Sequence, residues 1–156
     1  VISSEEVKPT INRIIVRGKG SINIGSLGTW AWPTATPYVI TSQYGWRWGK
    51  FHEGLDISGT GYGSPIYSIN DGVVVEAKFN GYNGNYIIIN HNNGYYSYYG
   101  HMSKILISQG DIVHIGQQIG KMGQSGFATG THLHLAVYKG YPWKGGVSIN
   151  PYGLYK

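Results

Sequence analysis

From Trp30 onward the chain runs in short apolar segments of β-branched and aromatic residues, broken by glycine and asparagine, and no stretch sustains the 3.6-residue period of an amphipathic helix. The runs predict strands over 65–69, 72–79, 86–91, 94–101, 111–114 and 132–138. Between them stand Asn80-Gly81, Asn83-Gly84 and Asn93-Gly94, dipeptides that tolerate the positive φ of tight hairpin turns. One stretch, 103–107, reads as a single helical turn. The pattern as a whole predicts an all-β chain, mostly antiparallel, with a sandwich or barrel-like core and no internal repeat.

Ahead of this domain, residues 7–18 hold an apolar, strand-like run, and Gly18-Lys19-Gly20-Ser21 reads as a linker. We therefore divide the chain into an arm or linker over 1–28, read as the end of a preceding β module, and a main domain over 29–156. Gly59-Thr60-Gly61-Tyr62-Gly63 and the series Gly116, Gly120, Gly123, Gly126 are expected to be tight turns. Neither opens a helix after a strand, which phosphate cradling requires.

Composition narrows the class. With 41% hydrophobic and only 12% charged residues, the 156-residue chain is expected to form one ordered domain with a real core. No apolar run approaches the roughly 18 residues of a membrane span. The first residues lack the basic and apolar regions of a signal peptide, and the start at Val1 suggests a fragment. Without cysteine there are no disulfides and no thiolate ligands, and any transition-metal site must use nitrogen and oxygen. The net charge of +5 favours polyanionic partners, but lysine and arginine are scattered, which argues against nucleic acid.

The candidate chemistry lies in two short motifs. His132 and His134 are two apart in a strand-like run and so share a face. His52 and Asp56 are four apart, roughly 13 Å if fully extended, too far to share an ion with bonds of about 2 Å. The chain must turn between them, and Gly54 allows it without steric cost. Two imidazoles and one carboxylate leave a fourth tetrahedral position for water, the pattern of a hydrolytic zinc site. Either motif alone is weak in a chain with six histidines. Glycoside chemistry is disfavoured, because it needs a pair of carboxylates and none is evident near the motifs among only seven acidic residues.

Over about residues 30–152 the chain resembles the lysostaphin-type (LytM-like) zinc endopeptidases of bacterial peptidoglycan. The likeness is carried by Trp32-Pro33, by Thr41-Ser42-Gln43-Tyr44-Gly45-Trp46-Arg47 leading into His52-Glu53-Gly54-Leu55-Asp56, and by Gly63-Ser64-Pro65-Ile66 with Asp71-Gly72-Val73-Val74. It continues through Asn90 to Gly94, Tyr99-Gly100-His101-Met102-Ser103, Gly116-Gln117-Gln118-Ile119-Gly120 and Gly130-Thr131-His132-Leu133-His134. The resemblance implies one zinc ion held by His52, Asp56 and His134, with His101 and His132 as the catalytic, non-ligand pair. It implies a peptidoglycan peptide as substrate, an extracellular or cell-wall location, and the anionic wall polymers as the polyanion that the basic charge suits. Leu135-Ala136 departs from the family pattern, which more often has an aromatic and then an acidic or polar residue.

In such a site a base must activate water and a donor must stabilise the oxyanion or protonate the leaving amine. His132 and His101 are the two candidates. His91 and His114 lack partners at ligand spacing and are expected to be structural, and Glu53 is expected on a turn facing solvent. Among the aromatics, most are expected in the core or on a sheet face, whereas Trp46, Tyr62 and Phe127 fall in loops and are the candidate groove residues. Two other readings are a non-catalytic wall-binding or activator domain of the same fold and a glycan-binding β-sandwich.

Overall fold

Leu133, Leu135 and Val137 alternate along one strand with His134, Ala136 and Tyr138, and this alternation separates the two faces of the sheet on which the protein is built. A computed structural model describes residues 24–155. The strands are β1 (Val39–Ser42), β2 (Gly45–Arg47), β3 (Lys50–His52), β4 (Leu55–Ser58), β5 (Pro65–Tyr67), β6 (Gly72–Asn80), β7 (Gly84–Asn90), β8 (Tyr95–Ile105), β9 (Ile112–Val113), β10 (Gln118–Met122), β11 (Leu133–Lys139) and β12 (Val147–Ile149). A 3₁₀ turn over Pro151–Tyr155 follows. The main sheet runs β1-β4-β11-β8-β7-β6-β9, β12 adds to β11, and β10 joins β8 to β5. Every pairing is antiparallel, and β2 and β3 form a separate hairpin.

One face of the main sheet holds the larger core. Leu55, Ile57, Val74, Ile87, Ile89, Tyr99, Leu133, Leu135 and Val137 pack there against Ile66, Ile119 and Met122 from β5 and β10. Each fully buried aliphatic side chain contributes about 1.5–3 kcal/mol. The opposite face carries Tyr86, Ile88, Tyr98, Ala136 and Tyr138, in phase with His134.

The all-β, antiparallel expectation holds, with differences in detail. The expected helical turn at 103–107 is absent. β8 runs on to Ile105 because Lys104 and Ile105 pair with Lys121 and Gly120 of β10, and Ile105 packs against the core. β5 and β9 are shorter than the runs that predicted them. β1 to β4, β10 and β12 were not anticipated, since segments of three to five residues are too short to show alternation. The strand-like run at 7–18, the linker after it and most of the 1–28 arm lie outside the described residues. No helix among the described residues is long and apolar enough to cross a membrane.

His91 is structural, as expected. It is fully buried, its Nδ1 donates to the Asp71 carbonyl at 2.7 Å, and its Nε2 lies 2.8 Å from Ser97 Oγ. Burial pushes its imidazole down from 6.5 to about 4, against the Asp71 carbonyl, which pulls it up. The unfolded chain therefore takes up this proton first, so the stability is fully present above pH 6.5 and is lost as pH falls towards 4. Between pH 7 and 5 this one residue is expected to remove about 2 kcal/mol. Urea unfolding of wild type and His91→Gln at both pH values checks it: the variant's pH dependence should be flatter, and an equal slope would refute the assignment.

Candidate metal centre

Strands β4, β11 and β8 are neighbours, and their register sets Asp56 opposite His134 and His134 opposite Gly100. With Leu55, Ile57, Leu133 and Leu135 buried in the core, Asp56 and His134 project from the other face. The chain reverses after β3 to bring His52 to the same point. Gly54 serves this turn by close approach and not by a left-handed backbone. A Cβ there would lie 2.3 Å from the Leu135 carbonyl oxygen and 3.0 Å from His134 Nε2, so only glycine lets β3–β4 lie this close to β11.

The three side chains converge on one carboxylate oxygen. His134 Nδ1 is 2.9 Å and His52 Nε2 3.3 Å from Asp56 Oδ1. The three potential ligand atoms all lie within 4.8 Å of one another. Bonds of 2.0–2.1 Å in a tetrahedron give donor–donor edges of about 3.3 Å, so the set suits a small divalent cation that accepts nitrogen and oxygen ligands. His52 is oriented by its other nitrogen, since Nδ1 donates to the Gln43 carbonyl at 3.0 Å and leaves Nε2 as the free donor atom. Ser42 Oγ stands 3.4 Å from that Nδ1 and receives a hydrogen bond from Arg47. Burial pushes Asp56 up, but hydrogen bonds from His134 and His52, with the charges of His134 and His132, outweigh it and hold the carboxyl well below the usual range. The hydrogen bond to Asp56 raises His52 against its burial.

His101 and His132 flank this cluster. Tyr99 and Met102 both belong to the core although they are three apart, because β8 carries an extra residue opposite β7, where Asn85 pairs with Met102 and Ile87 with Tyr99. The bulge re-aims His101 towards the site face, with φ at +62°, a left-handed value uncommon for a residue with a side chain. Its N–H donates to the Asn83 carbonyl and its Nδ1 to the Ser125 carbonyl, both at 2.8 Å. His132 is held in the same manner, with Nδ1 donating to the Gly130 carbonyl at 2.9 Å. Its Nε2 is 3.7 Å from Asp56 Oδ1, and its ring centroid is 4.9 Å from that of His101. Burial lowers His101, opposed by the Ser125 carbonyl and aided by His132 and His134. With Nδ1 committed to a carbonyl, each histidine of the pair presents Nε2 as its remaining ring nitrogen.

The remaining expected residues divide. Trp46 is exposed but lies in β2, not in a loop, because Gly45-Trp46-Arg47 pairs with Lys50-Phe51-His52; its ring meets Phe51 edge-on at 5.4 Å, next to His52. Phe127, in a loop, stacks on Tyr82 at 5.8 Å beside the Asn83 carbonyl that receives His101. Tyr62 is exposed in the turn between Gly61 and Gly63, both at positive φ, and makes none of these contacts. His114 is exposed and is not among the clustered ligand candidates. Glu53 is exposed as expected, yet it accepts a hydrogen bond from Tyr138 Oη at 3.1 Å. Tyr98, among the aromatics expected in the core or on a sheet face, stands edge-on to His134 at 5.8 Å. The signal for both tyrosines was present, since Tyr138 is in strand phase with His134, and Tyr98 with Gly100.

Known proteins share this stretch of sequence and this fold. The model of peptidase family M23 matches residues 50–151, which include all five of these histidine and aspartate positions. The chain is 44% identical over 92 residues to the peptidoglycan DD-endopeptidase ShyA of Vibrio cholerae, covering 58% of this chain and 21% of that protein. It is 32% identical over 154 residues to the murein hydrolase activator NlpD of Salmonella typhimurium, covering 97% of this chain and 38% of that protein. Among solved structures, a variant of the catalytic domain of the prophage-encoded M23 protein EnpA from Enterococcus faecalis superposes with a TM-score of 0.70 at 33% identity, covering 81% of this chain and 96% of that one. The catalytic domain of lysostaphin from Staphylococcus simulans gives 0.67 at 31% identity, covering 76% and 93%. The chain spans only about a fifth to two fifths of the length of the curated relatives it matches. With the family match extending over more than half of its residues, the chain belongs to peptidase family M23.

Proposed function

We propose that this chain is the catalytic domain of a zinc-dependent endopeptidase that hydrolyses peptide bonds, in a cross-bridge or stem, of bacterial peptidoglycan. The observation that carries the reading is the convergence of His52 Nε2, Asp56 Oδ1 and His134 Nδ1 on one point with His101 and His132 beside it. His52, Asp56 and His134 would hold one zinc ion. Zinc bound there supplies Lewis acidity and brings water towards a pKa of about 7. His101 and His132 supply the two proton services that amide cleavage needs. Each is fixed through Nδ1–H to a backbone carbonyl, so Nε2 is the atom that takes a proton from the attacking water or gives one to the leaving amine. The bulge in β8 and the His101 N–H bond to the Asn83 carbonyl hold the left-handed backbone that aims this ring.

The domain acts, in this reading, in the cell envelope as part of a longer exported protein, on wall peptides and beside anionic wall polymers, with no nucleic-acid partner. The likeness to a murein hydrolase activator motivates a second reading, a wall-binding or activating domain without turnover. The completeness of the five-residue site favours the first. Digestion of purified cell walls separates them: new amino groups without new reducing ends, abolished by a chelator and restored by zinc, are expected. New reducing ends without amines would falsify the endopeptidase reading, and no products at all would leave the activator reading standing in its place.

A further inference from the structure

Most described carboxylates outside the metal cluster have plain tasks. Asp71 and Asp111 accept backbone N–H groups in turns, and Glu53 takes the Tyr138 hydroxyl. Glu76 is different. It lies on β6, only 6% exposed, on the sheet face that carries the metal cluster, in the row Glu76, Ile88, Tyr98 across β6, β7 and β8. Its carboxylate accepts three hydrogen bonds from aromatic donors: Tyr86 Oη at 2.7 Å and Trp143 Nε1 at 3.2 Å on Oε1, and Tyr141 Oη on Oε2. A carboxylate is costly to bury unless it is satisfied in this way. Burial raises Glu76, and the three donors outweigh it and leave the group below its usual value.

Tyr141 and Trp143 belong to the loop between β11 and β12, so this carboxylate ties that loop down across β7 and β8. The loop is closed on itself as well. Gly146 N–H donates to the Tyr141 carbonyl at 2.9 Å, and a Cβ on Gly146 would lie 2.4 Å from the Gly140 carbonyl oxygen. Yet the indole it holds is not a core residue, since Trp143 remains 50% exposed. It stands edge-on to Tyr98 at 6.1 Å and to Tyr86 at 6.3 Å, and Tyr98 stands edge-on to His134 at 5.8 Å. Two ring contacts thus separate the half-exposed indole from a residue of the metal cluster, no more than about 12 Å, the span of about three extended residues.

We propose that Glu76 is a positioning residue that fixes Trp143 as a wall of the substrate groove, where the indole packs against an apolar side chain of the peptide two to three residues from the cleaved bond. This rests on the peptidoglycan-peptide reading and adds a determinant of specificity to it. The indole N–H is committed to Glu76, so its exposed part offers apolar contact, and the peptide meets a surface already ordered before it arrives.

The test uses soluble cross-linked muropeptides with zinc-loaded protein. Trp143→Ala should raise KM about three- to tenfold, the scale of one aromatic contact, with kcat and zinc content essentially unchanged and a modestly lower melting temperature, since Glu76 keeps only two of its three donors. Glu76→Gln keeps an acceptor for Tyr86 and Trp143 and should stay close to wild type, whereas Glu76→Ala should reproduce the KM rise. Because Glu76 acts through Trp143, Glu76→Ala combined with Trp143→Ala should raise KM no further than Trp143→Ala alone. An unchanged KM in Trp143→Ala, or additive effects in the double variant, would overturn the proposal. Should Glu76→Ala not fold, Trp143→Ala and Glu76→Gln decide. A wild type that cuts nothing would defeat the endopeptidase reading separately, and co-sedimentation with insoluble peptidoglycan then tests the wall itself: weaker binding by Trp143→Ala supports it, and equal binding refutes it.

Discussion

His134→Ala is expected to lose its zinc and its activity together while retaining the fold. His134 is one of three ligand candidates and the one nearest Asp56. Losing an outer partner of a metal ligand typically costs 10- to 100-fold in affinity, and losing the ligand itself should exceed roughly that. Elemental analysis after zinc reconstitution and dialysis should find about one equivalent in wild type and a small fraction of it in the variant. The fold should survive, since His134 stands on the site face while Leu133 and Leu135 on either side hold the strand in the core. A variant that keeps a full equivalent of zinc would remove His134 from the ligand set.

The second large effect separates chemistry from metal binding. His101→Ala and His132→Ala should each retain zinc and lose about two to four orders of magnitude in turnover, the scale for removing a general base or an oxyanion donor. Neither side chain is needed to complete the three-ligand cluster, and each is anchored to a backbone carbonyl of its own. Replacing His101 also relieves nothing in the backbone, because alanine must adopt the same φ of +62°. Its stability should therefore fall slightly or stay level. Stoichiometric zinc loss in either variant would show that the roles had been divided wrongly.

Much of this site was legible in the sequence because strand geometry is periodic. The two-residue spacing of His132 and His134 needs only the alternation of a strand to put both on one face, and the four-residue spacing of His52 and Asp56 demanded a turn, which the structure makes at Gly54. The resemblance to a known family added His101, which no local spacing links to the other four. What brings it in is a bulge in β8, and one inserted residue in a ladder leaves no mark in hydrophobic periodicity. The same limit hid β1 to β4, whose three or four residues cannot show a period. It also turned Trp46 into an expected loop residue when it belongs to a short hairpin strand. Trp143 was read as one aromatic among many, since its importance comes from Glu76, far away in sequence and met only through the sheet.

Hydrolysis of a peptide bond in peptidoglycan is decided by mass analysis of the fragments that zinc-loaded protein releases from purified, glycan-digested walls. Cross-linked muropeptides should disappear and smaller ones appear, each cleavage adding one water and exposing one amine. The same digestion with a chelator or with His134→Ala should give no new species. Unchanged cross-linked muropeptides, or products that differ only in their sugars, would contradict it.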